Sequence, residues 1–519
     1  MTDGRAADRA VFGLVLALLL GAALRVDRLG LEELTTDEAF SWRMATHPPA
    51  DIVARTATDV HPPLYYLMLK LWMAACGDSP VALRGLSMLL GMATILLAYL
   101  LYVEVERYAD GQEGTRTGRS TIGRWGAVAA ALLVAVHADQ VGHSRHVRMY
   151  SMGAALAGLS AWSMLRALRS ERRALAWWAA YAVSAAGLCY THYYGAFTVA
   201  AQVIFAGVSL AWRGRTSGVR PRQAVGLGAA AVLVAVLFAP WLSVLARQTA
   251  RVREDYWIRE ADPFDVAAAL VRWTTGLERA PPWPALAIAA FVAAGLWVAW
   301  RGDRGQRLLA LQAALPWVGA LGLSWIAGRT LFLERYLFFS QLALLVLLAR
   351  AWGGLAAWPR RAAAAVLGSM IALGLAAEIG GRPVTEPSAQ EGARVLAQSV
   401  APADLVLANA PRDLNVIRYY LLREGATAVQ IKCPASRSIG HLSQVSSIMP
   451  DEIVGEESVW SGAWPRVWRV RLHPPRKWRP EPPPADWAPV LTRVFEGPGG
   501  TRLLVVAHQR VTGGRADRP

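Results

Sequence analysis

The chain has 519 residues, 54% of them hydrophobic and 18% charged, with a mean hydropathy of +0.29. Apolar stretches of membrane-crossing length recur through its first three-quarters, which excludes a disordered, collagen-like or ordinary cytosolic class. The net charge of +16 would suit nucleic acid, but the arginines stand in short clusters between apolar runs and form no single basic face, so a membrane-orientation signal explains them and no nucleic acid is expected.

A spanning helix needs about 20 mostly apolar residues. Eleven such runs are predicted, at 10–27, 81–103, 123–139, 149–167, 175–190, 193–212, 224–245, 283–300, 307–327, 336–352 and 360–380. The first resembles a signal peptide behind Arg5 and Arg9, yet Ala22-Ala23-Leu24-Arg25 offers no convincing cleavage site, and it is read as an uncleaved helix. Basic residues accumulate in short cytoplasmic connections. Arg166, Arg169, Arg172 and Arg173, then Arg213, Arg215, Arg220 and Arg222, then Arg301, Arg304 and Arg307, then Arg350, Arg360 and Arg361 all fall on the side of the N-terminus. The connection after 245 departs from this, with Arg247, Arg251, Arg253, Arg259, Arg272 and Arg279. A multi-pass protein of the inner (plasma) membrane is expected. Trp125, Trp177, Trp178, Trp212, Trp241, Trp300 and Trp358 are read as interfacial anchors. Cys76, Cys189 and Cys433 have no metal-ligand spacing and imply neither a zinc module nor a disulfide framework.

Two domains follow: a membrane domain over 1–380 and a soluble outer-face domain over 381–519. The second is predicted to be a small α/β unit. Strands are expected at 404–408, 428–431, 467–471 and 503–506, with a helix at 413–422 and a Pro-rich linker or edge excursion at 474–484.

Polar chemistry collects in the outer loop 28–80, which is too long for a plain connector. Its first string, Leu34-Thr35-Thr36-Asp37-Glu38-Ala39-Phe40-Ser41-Trp42, reads as a helix start capped by Thr36 or Asp37. Asp37 and Glu38 then either complement the helix dipole or present a general base to a reacting hydroxyl. In the second, Asp59-Val60-His61-Pro62-Pro63-Leu64-Tyr65-Tyr66, the prolines suit a first helical turn. It is either an interfacial helix capped by Asp59 or His61, or a phosphate-holding helix start. Three more clusters map to the same face: His143-Ser144-Arg145-His146-Val147-Arg148-Met149-Tyr150, Tyr190-Thr191-His192-Tyr193-Tyr194, and Arg329 with Glu334-Arg335-Tyr336. Each alone could solvate a helix end. Together on one side, ionisable groups at helix mouths mark a functional site.

The order of these strings resembles the bacterial family-39-like glycosyltransferases of the GT-C superfamily, relatives of the protein O-mannosyltransferases and the lipid A aminoarabinose transferase. The resemblance rests on Asp37-Glu38-Ala39-Phe40-Ser41, the string from Asp59 to Tyr66, Arg148-Met149-Tyr150, Tyr190 to Tyr194 and Arg335-Tyr336, and runs to about residue 350. It implies a polytopic α-helical membrane protein of GT-C type with about 11 transmembrane helices and a small α/β C-terminal domain on the outer face. It also implies transfer of a hexose or related sugar, with inversion, from a polyprenyl-phosphate donor to a lipid, glycan or protein acceptor. Asp37 takes the place of the catalytic base, with Glu38 in support and Asp59 as a second acid. His61, Arg145, His146, Arg148, Tyr150, His192, Arg335 and Tyr336 become candidates for the donor phosphate and substrate. His146 stands where relatives often carry an acid, two positions before the arginine, so a divalent metal is possible and no cofactor is certain. A transporter or flippase of a polyprenyl-linked anion is the alternative. It needs the basic mouth but not the acidic pair, and should show interrupted polar helices at the midplane. A catalytically inactive partner subunit is a further alternative.

Overall fold

A computed structural model of the chain describes residues 2–113, 121–170, 172–217, 221–254, 260–276, 300–353, 388–435, 444–462, 464–472, 482–496 and 502–511, with a few positions between 368 and 376. Helix α1 (Thr2–Val26) is followed by three short helices, α2 (Thr36–Thr46), α3 (Pro49–Thr58) and α4 (Leu64–Cys76). The bundle continues with α5 (Pro80–Glu113), α6 (Thr121–Val136), α7 (Ala138–Ser144), α8 (Tyr150–Arg169), α9 (Ala174–Thr191), α10 (Gly195–Ser217) and α11 (Pro221–Glu254). Then come α12 (Pro263–Thr275), α13 (Arg304–Ala327) and α14 (Phe338–Gly353). The expected runs at 283–300 and 360–380 lie outside the described residues, apart from Trp300 and a few positions of the second.

Among the described residues, five helices are long and apolar enough to cross a membrane (α1, α5, α10, α11 and α13), or six if the bent pair α6–α7 counts as one. Helix α11 shows what such a surface looks like. Val225, Val232, Val236 and Leu242 are all exposed on a helix of hydropathy 2.3, a surface suited only to hydrocarbon. Helix α8 is the opposite case. Nearly all of it is buried, and its small residues let neighbours close in: a Cβ on Gly153 would stand 2.1 Å from the Phe339 ring of α14.

The α6–α7 pair bends by 58° at His137. Such a break frees carbonyls at the end of α6, and in a membrane bundle they must be satisfied internally. Arg25, wholly buried, donates to Val134 O and Ala135 O from the end of α1, and its Nε reaches Ser144 Oγ on α7 at 3.1 Å. One arginine thereby locks the bend between α6 and α7.

The basic connection after 245 also has a physical account. Helix α11 runs past the expected end to Glu254, so Arg247 and Arg251 lie on helix, and Arg251 donates to Thr58 O of α3. Arg272 sits on α12 and pairs with Glu334. Arg251 and Arg272 are thus structural partners of neighbouring segments, while Arg259 and Arg279 lie outside the described residues. Two tryptophans also depart from the anchoring role: Trp178 and Trp241 are buried, donating to Gln223 Oε1 and Tyr193 Oη.

The C-terminal unit is α/β. Helix α15 (Ser388–Ser399) leads into β1 (Leu405–Ala408), α16 (Pro411–Arg423), β2 (Gln430–Pro434), β3 (Ile453–Val454), α17 (Glu456–Ser461), β4 (Arg466–Leu472), β5 (Trp487–Glu496) and β6 (Arg502–Arg510). The sheet order is β3-β2-β1-β4-β6-β5, with β3, β2, β1 and β4 parallel and β6 antiparallel to both β4 and β5. The four expected strands and the helix are present; β3, β5, α15 and α17 are additions. Most of the expected linker at 474–484 lies outside the described residues. The unit is not a free-standing appendage. Phe40, Trp42 and Met44 of α2 share one buried core with Leu414, Ile417 and Tyr420 of α16, and Tyr420 Oη accepts from Leu34 N at 2.8 Å.

Candidate active site

The site begins with the cap of α2. Thr35, not Thr36 or Asp37, is the N-cap: its hydroxyl accepts from Glu38 N while the Glu38 carboxylate accepts from Thr35 N, a reciprocal capping box. The same carboxylate accepts from Arg84 of α5 at 2.8 and 3.0 Å and from Val147 N at 3.2 Å. Burial works to raise the Glu38 pKa, but the hydrogen bonds and charge of Arg84 outweigh it and hold the carboxyl below its ordinary value. With both oxygens engaged and no solvent exposure, Glu38 is placed to hold the frame, not to meet substrate. Its bond to Val147 fixes α2 against the segment that carries Arg148.

Asp37, one residue earlier, points into a cleft of about 1250 Å³ of atom-free space, part of it open to solvent. Thr36, Asp37, His146, Arg148, Tyr150 and Arg335 line it, so three separate motif strings converge on one wall system. The charge of Asp37 favours the protonated guanidinium of both Arg148 and Arg335. Glu334 is held by Arg272, at 2.8 Å from its Nε. Arg335 lies 5.7 Å from the Tyr336 ring centroid.

Behind Arg148 is a second layer. The guanidinium is 3.2 Å from His61 Nε2, and because arginine can only donate, His61 accepts there and carries its proton on Nδ1. Burial, then the charge of Arg148, pushes the His61 pKa well below the ordinary value, so the imidazole is neutral and orients the guanidinium without adding charge. Asp59 caps its own chain, accepting from the backbone N–H groups of Val60 and His61. It ends α3; Leu64 starts α4 with Pro63 at the cap and no side-chain cap bond, so neither Asp59 nor His61 caps that helix. Burial raises the Asp59 carboxyl to about 6. His192, at the end of α9, accepts from Tyr194 N on Nδ1, leaving an Nε2–H donor beside Tyr336, whose ring lies 4.6 Å away. Asp59 Oδ2, Tyr66 Oη, Arg148 Nε and His192 Nε2 are all buried without a hydrogen-bond partner. Such atoms are costly to leave unpaired and cluster where a polar ligand belongs.

Arg145 is set apart from this group, since it reaches back to donate to Leu24 O at the end of α1 and does not line the cleft. Two residues of the site escaped the sequence. Asp139 of α7 lines the cleft and is held by Gln341 Nε2 at 3.1 Å. It supplies the acid of the wall where His146 stands in the motif, and only the bend at His137 brings it there. Gln444, from the C-terminal unit, donates to Asp37 Oδ1 at 3.2 Å. Among the described residues no group of three His, Cys, Asp or Glu side chains could hold a metal ion.

No family model matches the sequence, and no curated protein matches it either. Solved structures do match. The chain is similar to the crystal structure of ArnT from Cupriavidus metallidurans bound to undecaprenyl phosphate, with a TM-score of 0.57 and 14% identity over 95% of this chain and 97% of that one. The apo state of the same protein gives 0.56 and 14% over 97% and 98%. The archaeal oligosaccharyltransferase AglB from Archaeoglobus fulgidus, in complex with an inhibitory peptide and a dolichol-phosphate, gives 0.51 and 12% over 89% and 69%. At such identities the likeness is one of architecture. The chain shares the fold of ArnT and AglB.

Proposed function

We propose that this chain is a membrane glycosyltransferase that moves a sugar from a polyprenyl-phosphate donor to a lipid, glycan or protein acceptor at the outer face of the plasma membrane. In this reading the membrane domain has about eleven spans, and the C-terminal unit lies on the outer side with the cleft. The observation that carries it is the cleft itself: Asp37 shares with two guanidinium groups, Arg148 and Arg335, a space large enough for a sugar, while the other carboxylate of the lining, Asp139, is held by Gln341. The polyprenyl phosphates bound by ArnT and AglB are consistent with a phosphate on the basic side.

The chemistry balances without a cofactor. Asp37 takes the proton of the acceptor hydroxyl as its oxygen bonds to the anomeric carbon. The bond from that carbon to the phosphate oxygen breaks, and its electron pair leaves on the phosphate. Arg148 and Arg335 neutralise the departing charge, and attack from the opposite side inverts the anomeric centre. The buried polar atoms of Asp59, Tyr66 and His192 supply partners for donor hydroxyls or phosphate oxygens.

The test incubates purified protein with a panel of undecaprenyl-phosphate monosaccharides and envelope extract, following release of undecaprenyl phosphate by mass spectrometry. Asp37→Asn keeps the size of the residue and leaves the Thr35–Glu38 capping box intact but cannot take a proton, so turnover should fall by about 10²–10⁴-fold with donor binding unchanged. Near-wild-type turnover in this variant would overturn the assignment of Asp37 as the base, and donor crossing vesicle membranes without chemical change would defeat the proposal in favour of a transporter.

A further inference from the structure

The C-terminal unit touches the reacting carboxylate directly. Gln444 Nε2 donates to Asp37 Oδ1 at 3.2 Å, across 407 residues of sequence. The amide must present its nitrogen here, because its oxygen would face a carboxylate with no proton between them. Two features show that this placement is costly to the chain. Gln444 has φ of 60°, a left-handed conformation that disfavours any residue with a Cβ, and its Oε1 is buried with no hydrogen-bond partner.

The surrounding turn is clamped from both domains. Gln444 O accepts from Ser447 Oγ at 2.8 Å, and Ser447 Oγ accepts from Asn415 Nδ2 of α16 at 2.9 Å. From the outer loop, His47 Nε2 lies 2.8 Å from Ser447 O, and Arg55 donates to Ser446 O and Ile448 O at 3.0 and 2.7 Å. A few residues on, Glu452 is bound by both Arg43 of α2 and Arg418 of α16. A turn held at so many points, in a backbone conformation unsuited to its residue, is built to deliver one side chain.

We propose that Gln444 is a positioning residue: its amide fixes the carboxylate of Asp37 so that the second oxygen is presented to the acceptor hydroxyl, and the C-terminal unit thereby completes the active site. The proposal rests on the reading of Asp37 as the base. Holding a base in one orientation acts on the chemical step and not on donor binding, since the phosphate contacts lie with Arg148 and Arg335.

The test uses the full-length protein and the donor that turns over in the panel above. Gln444→Gly removes the amide and also relieves the left-handed backbone, so the variant should be at least as stable as the wild type. Its turnover should fall about 10-fold with the Kd for undecaprenyl phosphate unchanged. Gln444→Asn tolerates the backbone but falls one methylene short, and should behave like Gln444→Gly. A merely structural residue would give the reverse pattern, with lower thermal stability and unchanged turnover per folded molecule. Wild-type turnover in Gln444→Gly while Asp37→Asn is inactive would overturn the positioning role alone; wild-type turnover in Asp37→Asn would overturn the base assignment beneath it.

Discussion

Glu38→Gln changes almost no volume, so its cost can be worked from the four hydrogen bonds that the carboxylate accepts. Arg84 Nε and Val147 N share Oε1; Arg84 and Thr35 N share Oε2. An amide keeps one oxygen, so two of these bonds survive and the other two donors face an NH₂ group. Breaking a fully buried ion pair by neutralising one member costs about 3–5 kcal/mol. Arg84 retains the carbonyls of Leu29, Glu32 and Glu33, which compensate part of its charge and place the expected loss near the lower end, about 3 kcal/mol. The assay is a denaturant titration in detergent followed by tryptophan fluorescence. Removing both charges, in Glu38→Gln with Arg84→Met, should recover much of the loss. The pH dependence has a definite sign: a carboxyl held below its ordinary value stabilises the fold above that value and loses the contribution as pH falls beneath it. A Glu38→Gln protein within about 0.5 kcal/mol of wild type would refute the framework role and return Glu38 to the catalytic candidates.

Asp59→Asn should stabilise the protein at pH 7. A carboxyl raised from 3.8 to about 6 favours the folded state at low pH and loses that advantage as pH rises through 6, a difference of about 3 kcal/mol over the whole range, of which about 1.3 kcal/mol falls between pH 5 and pH 7, and the neutral amide removes it; thermal midpoints at those two pH values check it, and an unchanged pH dependence would contradict it. Arg148→Lys keeps the charge but loses the planar fork that His61 orients, so the Kd for undecaprenyl phosphate should rise about tenfold, measured by direct titration. Cys76 is exposed and Cys189 and Cys433 are buried, so in intact cells an impermeant thiol reagent should label Cys76 and spare a cysteine replacing Arg172 in a chain lacking the native three; the opposite pattern would invert the topology.

How much of this was legible in the sequence depends on the range of the interaction. Helices of the membrane domain announce themselves through local apolar composition, and nine of the eleven expected runs coincide with described helices. The Asp37 and Arg148 strings were legible because each packs several polar groups into a short segment. The split between Asp37 and Glu38 was not: it is decided by Arg84 and Val147, 46 and 109 residues from Glu38. Arg145 and Arg148 look equivalent in sequence, and only the fold turns one to the end of α1 and the other to the cleft. Asp139 was invisible because an isolated acid after a run of alanine and valine carries no signal until the bend at His137 aims it. Gln444 is the extreme case, an uncharged residue in a polar turn whose partner lies at the opposite end of the chain.

The shared core of α2 and α16 has a consequence for the order in which the protein is made. The loop with Asp37 is synthesised early; Phe40 and Trp42 soon find Tyr66 and Asp78, but the part of that core supplied by Leu414, Ile417 and Tyr420 is missing until α16 emerges. At roughly 5–20 residues per second, the 376 residues from Cys76 to Glu452 take about 20–75 s to follow. For that interval the nascent chain holds a membrane-embedded half-site with an uncovered apolar face. A ribosome stalled or a chain truncated before residue 411 therefore leaves a species with part of that core uncovered, which marks it for removal by quality-control proteases.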